Sequence, residues 1–241
     1  MRRTGEVGRN PGSPEASSWI RGRRFPSDLK NGTGAMSNNL PMYPDAWLRG
    51  GNPFGSLDRA REMDLGPCFE RFDRMLDHGE ENAPAGEARR ALTASSGEAL
   101  LQVHRLLFPG RPDAGALRSR AVAGIYPGQD CPEPAHISRS LDNFETWLSA
   151  ESFGDIHPVQ QAALTLTRLV DIWPFDFGNR TTAVVFSNRF LTRAGYPPFF
   201  VLPGQIGEFE QILAQAIRIE TEPLVRAIYR CIERELDLVR S

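Results

Sequence analysis

The stretch Leu169–Pro198, LVDIWPFDFGNRTTAVVFSNRFLTRAGYPP, predicts the end of one helix, a tight loop and a second helix. Apolar residues leading into it recur at three- and four-residue intervals, as on a buried helical face. They are Val159, Ala162, Ala163, Leu166, Leu169 and Val170. Pro174 lacks an N–H and restricts the residue before it, so the first helix is expected to end near Trp173. Asn179 is the candidate N-cap of the second helix, which Gly195 and two prolines end.

The start of the second helix is a candidate anion site. The first N–H groups of a helix lack intrahelical partners, and the helix dipole favours negative charge at that end. The backbone there, and one positive side chain, come from Gly178, Asn179, Arg180, Thr181 and Thr182. An ordinary capped corner between two helices is the commoner explanation of the same pattern.

The loop also resembles the signature of the Fic family, His-Pro-Phe-x-(Asp/Glu)-Gly-Asn-Gly-Arg-x-x-Arg. Laid ungapped on residues 173–184, WPFDFGNRTTAV, the pattern keeps its Pro, Phe, first Gly and Asn. Residues 193–198, RAGYPP, resemble the family's helix ending at unchanged spacing, which argues against a deletion in the loop. The resemblance covers about Gly97 to Leu236. It implies a mainly α-helical, Fic-like bundle.

The positions that carry the family's chemistry differ in this chain. The family's His takes a proton from the target hydroxyl, and its acidic residue holds magnesium on the nucleotide phosphates. These positions are Trp173 and Phe177 here, and an indole is no usable base. The second Gly and the two arginines of the pattern correspond to Arg180, Thr181 and Val184. The resemblance therefore predicts the fold but not the usual adenylyl transfer.

Two functions are compatible with this loop. One is a pseudo-enzyme or regulatory binding module that lacks ordinary protein adenylylation. The other is a repurposed Fic-like transferase, acting on another phosphate-bearing or nucleotide-linked substrate through Asn179 and Arg180. Its candidate catalytic residues are Asp176 and Arg180. A guanidinium of Arg180 that fills the loop would favour the first function, whereas one directed into an open cleft would suit a phosphate or carboxylate.

We expect no metal site in the loop, no magnesium and no other cofactor. Asp176 lies one place before the family's acidic position, so it reaches a metal only if the loop is rebuilt. The chain also contains no match to (Ser/Thr)-x-x-x-Glu-(Gly/Asn), the motif of the helix that often silences Fic proteins. That helix can lie on a partner, so its absence agrees only weakly with a lost activity.

A short run upstream predicts a β-hairpin that acts as a flap. It consists of Val122, Ala123, Gly124 and Ile125, and a Pro-Gly turn signal follows at residues 127–128. By the resemblance, this is the strand that lies beside the modified segment of a target and pairs with its backbone. A connecting loop that covers the core fits the same residues equally well.

Further amphipathic helices are predicted at 97–108, 138–150, 208–219 and 223–239. His104 lies on the apolar face of the first of these, and we expect a buried histidine with its hydrogen bonds satisfied rather than a functional one. Residues 1–40 are expected to be a disordered basic tail, 41–96 a helical extension and 97–241 the Fic-like domain. Met36 is an alternative start to Met1.

The composition limits the classes of partner that are expected. The 241 residues carry a net charge of −2, which gives no electrostatic case for nucleic acid, and no run is apolar for long enough to span a membrane. Three cysteines far apart in sequence fit a reducing compartment, so a cytoplasmic location is expected. The expected partner is an unknown protein or a small anionic ligand, and an oligomer is compatible with the sequence.

Overall fold

The computed structural model describes residues 54–77, 97–218 and 220–240. The chain divides into two compact units, residues 1–55 and 56–241, and the second is described below. The predicted tail at 1–40 lies outside the described residues, as does most of the predicted extension at 41–96. In the described parts of the chain, no helix combines the length and apolar character needed to cross a membrane.

Helices joined by loops make up the described residues, which contain no β-strand, and the mainly α-helical prediction is confirmed. The α-helices are α1 (Gly66–Asp77), α2 (Gly97–Leu107), α3 (Ile137–Leu148), α4 (Glu151–Gly154), α5 (Pro158–Ile172), α6 (Asn179–Arg193), α7 (Ile206–Arg218) and α8 (Glu222–Arg240). Short 3-10 helices lie at Gly55–Glu62, Pro134–His136 and Pro203–Gln205. The predicted helices at 97–108, 138–150, 208–219 and 223–239 are all found within two residues at each end.

The centre of the fold is the pair α5 and α6, which pack on each other more extensively than any other described pair. A capping box begins α5: the His157 side chain accepts from the Val159 N–H, and Gln160 reaches back to the His157 N–H. The apolar stripe predicted for this helix is buried along its whole length. Since α6 is also largely buried, the loop between the two helices is held at the core.

The remaining helices pack around this pair. α2 packs against α6, α3 and α7 pack against α5, and α8 packs against α5, α7 and α1. A buried carboxylate joins α1 and α8, because both Nε and Nη2 of Arg71 donate to Oε2 of Glu235, at 2.8 and 2.6 Å. The corner between α5 and α6 is therefore braced by the rest of the bundle.

Candidate functional site

A buried arginine fixes the end of α5. Arg118 is 2% exposed, and its Nε donates to the carbonyl of Trp173 at 2.7 Å, while its Nη1 donates to that of Arg120 at 2.8 Å. Its backbone N–H donates to the carbonyl of Pro174 at 2.9 Å. Trp173 ends the helix in the left-handed region, with φ 50° and ψ 61°, which is rare for a bulky residue. The contacts of Arg118 hold this strained residue in place.

Asn179 closes the loop rather than capping the helix. Its Oδ1 accepts from the Phe175 N–H at 2.9 Å, and its Nδ2 donates to the Phe175 carbonyl at 2.8 Å. The N-cap of α6 is Gly178, at φ 65°, and the helix begins at Asn179 itself. The prediction of Asn179 as N-cap is therefore wrong, because both halves of its amide are already bonded. A Cβ on Gly178 would lie 2.3 Å from ring carbons of Phe108, so only glycine fits here.

The phenylalanine at the family's metal position packs against an aromatic cluster. The ring centroid of Phe177 lies 4.8 Å from that of His104 and 5.1 Å from that of Phe108. Phe175 stacks on His104 at 3.9 Å, and the guanidinium carbon of Arg111 lies 4.1 Å from the Phe177 ring centroid. Magnesium takes oxygen ligands, so this cluster offers it nothing to bind.

His104 is the hub of this cluster. Its Nδ1 accepts from the Gly115 N–H at 2.8 Å, so the proton of the neutral ring lies on Nε2 and is shared with the Phe177 carbonyl at 3.2 Å. The residue is fully buried, and burial lowers the pKa of His104. The prediction of a buried histidine with satisfied hydrogen bonds is confirmed.

Arg180 lies between two aromatic rings and a carboxylate. Its guanidinium carbon is 5.7 Å from the ring centroid of Tyr126 and 5.8 Å from that of Trp173. Its Nη1 lies 3.3 Å from Oε1 of Glu210, whose Oε2 accepts from the Tyr126 hydroxyl at 2.5 Å. Burial, followed by this hydrogen bond, raises the pKa of Tyr126. Trp173 is half-buried.

Asp176 makes an ion pair instead of facing a metal. Its Oδ1 lies 3.6 Å from Nη2 of Arg120, which belongs to the segment before the predicted flap. Nowhere in the described ranges do three or more His, Cys, Asp or Glu side chains form a group that could hold a metal ion. The donor set of the loop does not fit the magnesium that the family pattern implies.

The structure brings the five predicted anion-binding residues together at the start of α6, but not all of their groups are available. The buried Thr182 hydroxyl donates to the Gly178 carbonyl at 2.9 Å, and the Thr182 N–H bonds the same carbonyl. Thr181 and Arg180 are exposed, whereas Asn179 is buried. The helix start therefore offers backbone N–H groups and one guanidinium that is already paired.

The predicted flap is a loop held by a glutamine. In place of a β-hairpin, the N–H groups of Ile125 and Tyr126 both donate to Oε1 of Gln129, at 2.9 and 3.1 Å. Nε2 of the same side chain donates to the Val170 carbonyl of α5 at 2.7 Å. Gly124 passes so close to Gln129 that a Cβ would lie 2.3 Å from its carbonyl oxygen.

Sequence reasoning missed the residues that hold the site together. Arg118, Tyr126, Gln129 and Glu210 are not among the site residues that the sequence predicts. The Pro-Gly pair before Gln129 signals a turn, but no local pattern shows that the Gln side chain holds it. Glu210 carries no such signal, since its partners lie far away in sequence.

Comparisons with known proteins agree with this architecture. The Fic/DOC family profile matches residues 95–191. Proteins named protein adenylyltransferase Fic from Drosophila erecta and Drosophila melanogaster are each 38% identical to this chain over 142 residues, which are 58% of this chain. The chain covers only 28% of the length of each of these relatives.

Solved Fic structures show the same fold at lower identity. Fic-1 from C. elegans has a TM-score of 0.58 at 21% identity, covering 77% of this chain and 69% of that one. A Fic domain containing signaling protein from Bacteroides thetaiotaomicron has a TM-score of 0.55 at 20% identity, covering 73% and 70%. The solved structures thus show the fold, and the family profile identifies residues 95–191 as a Fic/DOC domain.

Proposed function

We propose that this Fic-type domain is a binding or regulatory module that does not carry out ordinary protein adenylylation. One observation carries the proposal: Trp173 and Phe177 stand at the base and metal positions of the family pattern, and the Phe177 ring packs against His104, Phe108 and Arg111. Loss of a general base alone typically costs about a hundred- to ten-thousand-fold in rate, before loss of the metal is counted.

The contacts of Arg180 support the same proposal. Its guanidinium faces Glu210 and two rings, so its charge is already paired although the side chain is partly exposed. A triphosphate approaching the start of α6 would meet the apolar ring of Phe177 and an arginine that is already paired. Several negative charges on one ligand would then lack compensation.

The start of α6 still favours a small anion, and this feature supports the second candidate function, a repurposed Fic-like transferase. Thr181 is exposed, the Arg180 side chain is 47% exposed, and the first N–H groups of α6 lie beside them. A ligand with one phosphate or carboxylate would compete with Glu210 for a single guanidinium. We expect weak anion binding at Asn179 and Arg180 that does not depend on a divalent metal, and a repurposed transferase would use the same groups.

Transfer from ATP labelled on its α-phosphate tests the main proposal. The wild-type chain and Trp173→His should give no magnesium-dependent label on themselves or on added protein, because the metal ligand and the arginines are still missing. Trp147→His, which adds a histidine outside the loop, is the matched control. Label with the wild type would refute the proposal, whereas label with Trp173→His but not with Trp147→His would refute the argument that the metal ligand and the arginines are also needed.

Calorimetric titration with ATP, AMP and sulfate, each with magnesium and with chelator, tests the second candidate. The expected result is weak binding that is equal with and without the metal, and that is lost in Arg180→Ala. Tight ATP binding that requires magnesium would instead show that Asp176 leaves Arg120 and takes over the metal role.

A further inference from the structure

Arg189, in the last turns of α6, is a buried arginine without a polar partner. The residue is 6% exposed, and its Nε is fully buried with no hydrogen-bond partner. Across the described residues, its guanidinium forms no hydrogen bond or ion pair. The two terminal nitrogens are not among the fully buried unpaired atoms, so the charge lies at the edge of the core with no protein group paired to it.

Aromatic side chains surround this guanidinium. Its carbon lies 4.7 Å from the ring centroid of Phe186 and 5.4 Å from that of Phe190. The aromatic contacts continue from Phe190 to Phe153 at 5.3 Å, and from Phe153 to Trp147 at 4.5 Å. Phe190 and Trp147 are only half-buried, so apolar surface is accessible next to a cation.

The charges nearby leave the guanidinium uncompensated. Burial, followed by the like charge of Arg193, lowers the pKa of Arg189 to about 10. Glu145 on α3 faces it and opposes this shift, but among the described residues the two do not form an ion pair. Burial also raises the pKa of Glu145. The positive charge of Arg189 is therefore not balanced by a close negative group among the described residues.

We propose that Arg189, together with Trp147 and Phe190, is a docking site for a carboxylate side chain of a protein partner. A carboxylate matches the planar fork of a guanidinium and makes charge-assisted hydrogen bonds with it. A free small acid would make only that ion pair, whereas an acidic residue of a protein also covers the two half-buried rings. Trp and Arg side chains with desolvated surroundings are typical centres of protein interfaces.

This surface is separate from the Fic loop. Arg189 lies ten residues after Asn179 on the same helix, which places it about 15 Å further along the axis at 1.5 Å per residue. Its occupation therefore does not depend on anion binding at the start of α6. The site would hold a partner on one end of α6 while the loop remains free at the other.

The proposal is tested by titrating two capped peptides into the full chain. One is acetyl-Leu-Glu-Leu-amide, and the other is its neutral counterpart acetyl-Leu-Gln-Leu-amide. The readout is the NMR signal of the Arg189 Nε–H, assigned by its loss in Arg189→Lys. We expect the Glu peptide to shift this signal saturably and to bind about tenfold more tightly than the Gln peptide, as one charge-assisted hydrogen bond implies. Equal responses to the two peptides in the wild type would overturn the proposal.

Variants separate docking from a structural role. Arg189→Met keeps an apolar side chain over the rings, so its melting temperature should equal or exceed that of the wild type. This variant should bind the two peptides equally. Arg193→Met, the matched control one turn further on, should keep the preference for Glu. Glu145→Gln should strengthen binding of the Glu peptide, since it removes a competing negative charge. A preference for Glu that persists in both Arg189→Met and Arg189→Lys would refute the assignment.

Discussion

Replacing Asn179 with alanine should open the loop between α5 and α6. The change removes both bonds to Phe175, whose backbone N–H and carbonyl lie in the core beside a side chain that is 1% exposed. A buried polar group left without a partner costs about 1–3 kcal/mol. With two such groups, partly relieved by relaxation of the loop, we expect the free energy of unfolding to fall by about 2–4 kcal/mol.

Aspartate at the same position is the sharper test. It keeps an acceptor for the Phe175 N–H, but its charged form places a second oxygen against the Phe175 carbonyl, whereas the protonated acid can donate to that carbonyl. The folded-state pKa of the new carboxyl should therefore lie above its ordinary value of about 3.9. Stability contributed by a raised pKa is present below the unfolded value and is lost as pH rises. Asn179→Asp should thus lose stability, relative to the wild type, between about pH 3 and pH 7.

Urea unfolding followed by far-ultraviolet circular dichroism, across that pH range, measures both effects. Thr181→Ala is the control, because Thr181 is exposed in the first turn of the same helix. The reasoning is refuted if Asn179→Ala costs less than about 0.5 kcal/mol, the usual effect of a surface change. It is also refuted if Asn179→Asp gains stability, relative to the wild type, as pH rises.

Two further predictions concern the surroundings of the loop, and a third concerns the start of α5. Gly178→Ala should lower the melting temperature, because its Cβ would lie 2.3 Å from the Phe108 ring and its φ is 65°; an unchanged melting temperature would contradict this. Glu210→Ala frees Tyr126 and Arg180, so amide hydrogen exchange in the flap should speed up, and unchanged exchange rates would argue against the link. Burial lowers the pKa of His157 from 6.5 to about 4. The unfolded chain therefore binds more protons than the folded chain between these two pH values, and the free energy of unfolding decreases as pH falls through them. His157→Asn should remove this decrease from a plot of urea-unfolding free energy against pH.

The helices were predictable because their signals are local. Six apolar positions at helical spacing defined α5, and Pro174 with Gly178 marked where regular helix stops. The β-hairpin was not predictable in the same way. Its failure has a specific cause: Gln129 takes the N–H groups of Ile125 and Tyr126, which a hairpin would pair with a second strand. A side chain that replaces a strand leaves no periodic pattern to find.

The chemistry of the site was harder to predict than its position. The sequence located the loop and the start of α6 correctly, since those depend on neighbours along the chain. It assigned Asn179 to the helix cap, because a capping Asn and a loop-closing Asn look alike until the partner, here Phe175, is seen. It left the direction of Arg180 open, because the answer depends on Glu210, which arrives from a helix much later in the chain.

Three of the five departures from the family pattern, Trp173, Phe177 and Arg180, have contacts with the surrounding bundle. Phe177 packs on His104 and carries Arg111 above its ring, and Arg180 lies beside the Trp173 ring and Glu210. Each change has acquired contacts with a residue outside the loop, so each is stabilised by the surrounding bundle as well as by its neighbours. Restoring one family residue would leave its new partner without a contact and still lack the other groups. Under the proposed function, recovery of transfer chemistry requires the loop and its surrounding partners to change together, which is why a single reversion is the informative negative test.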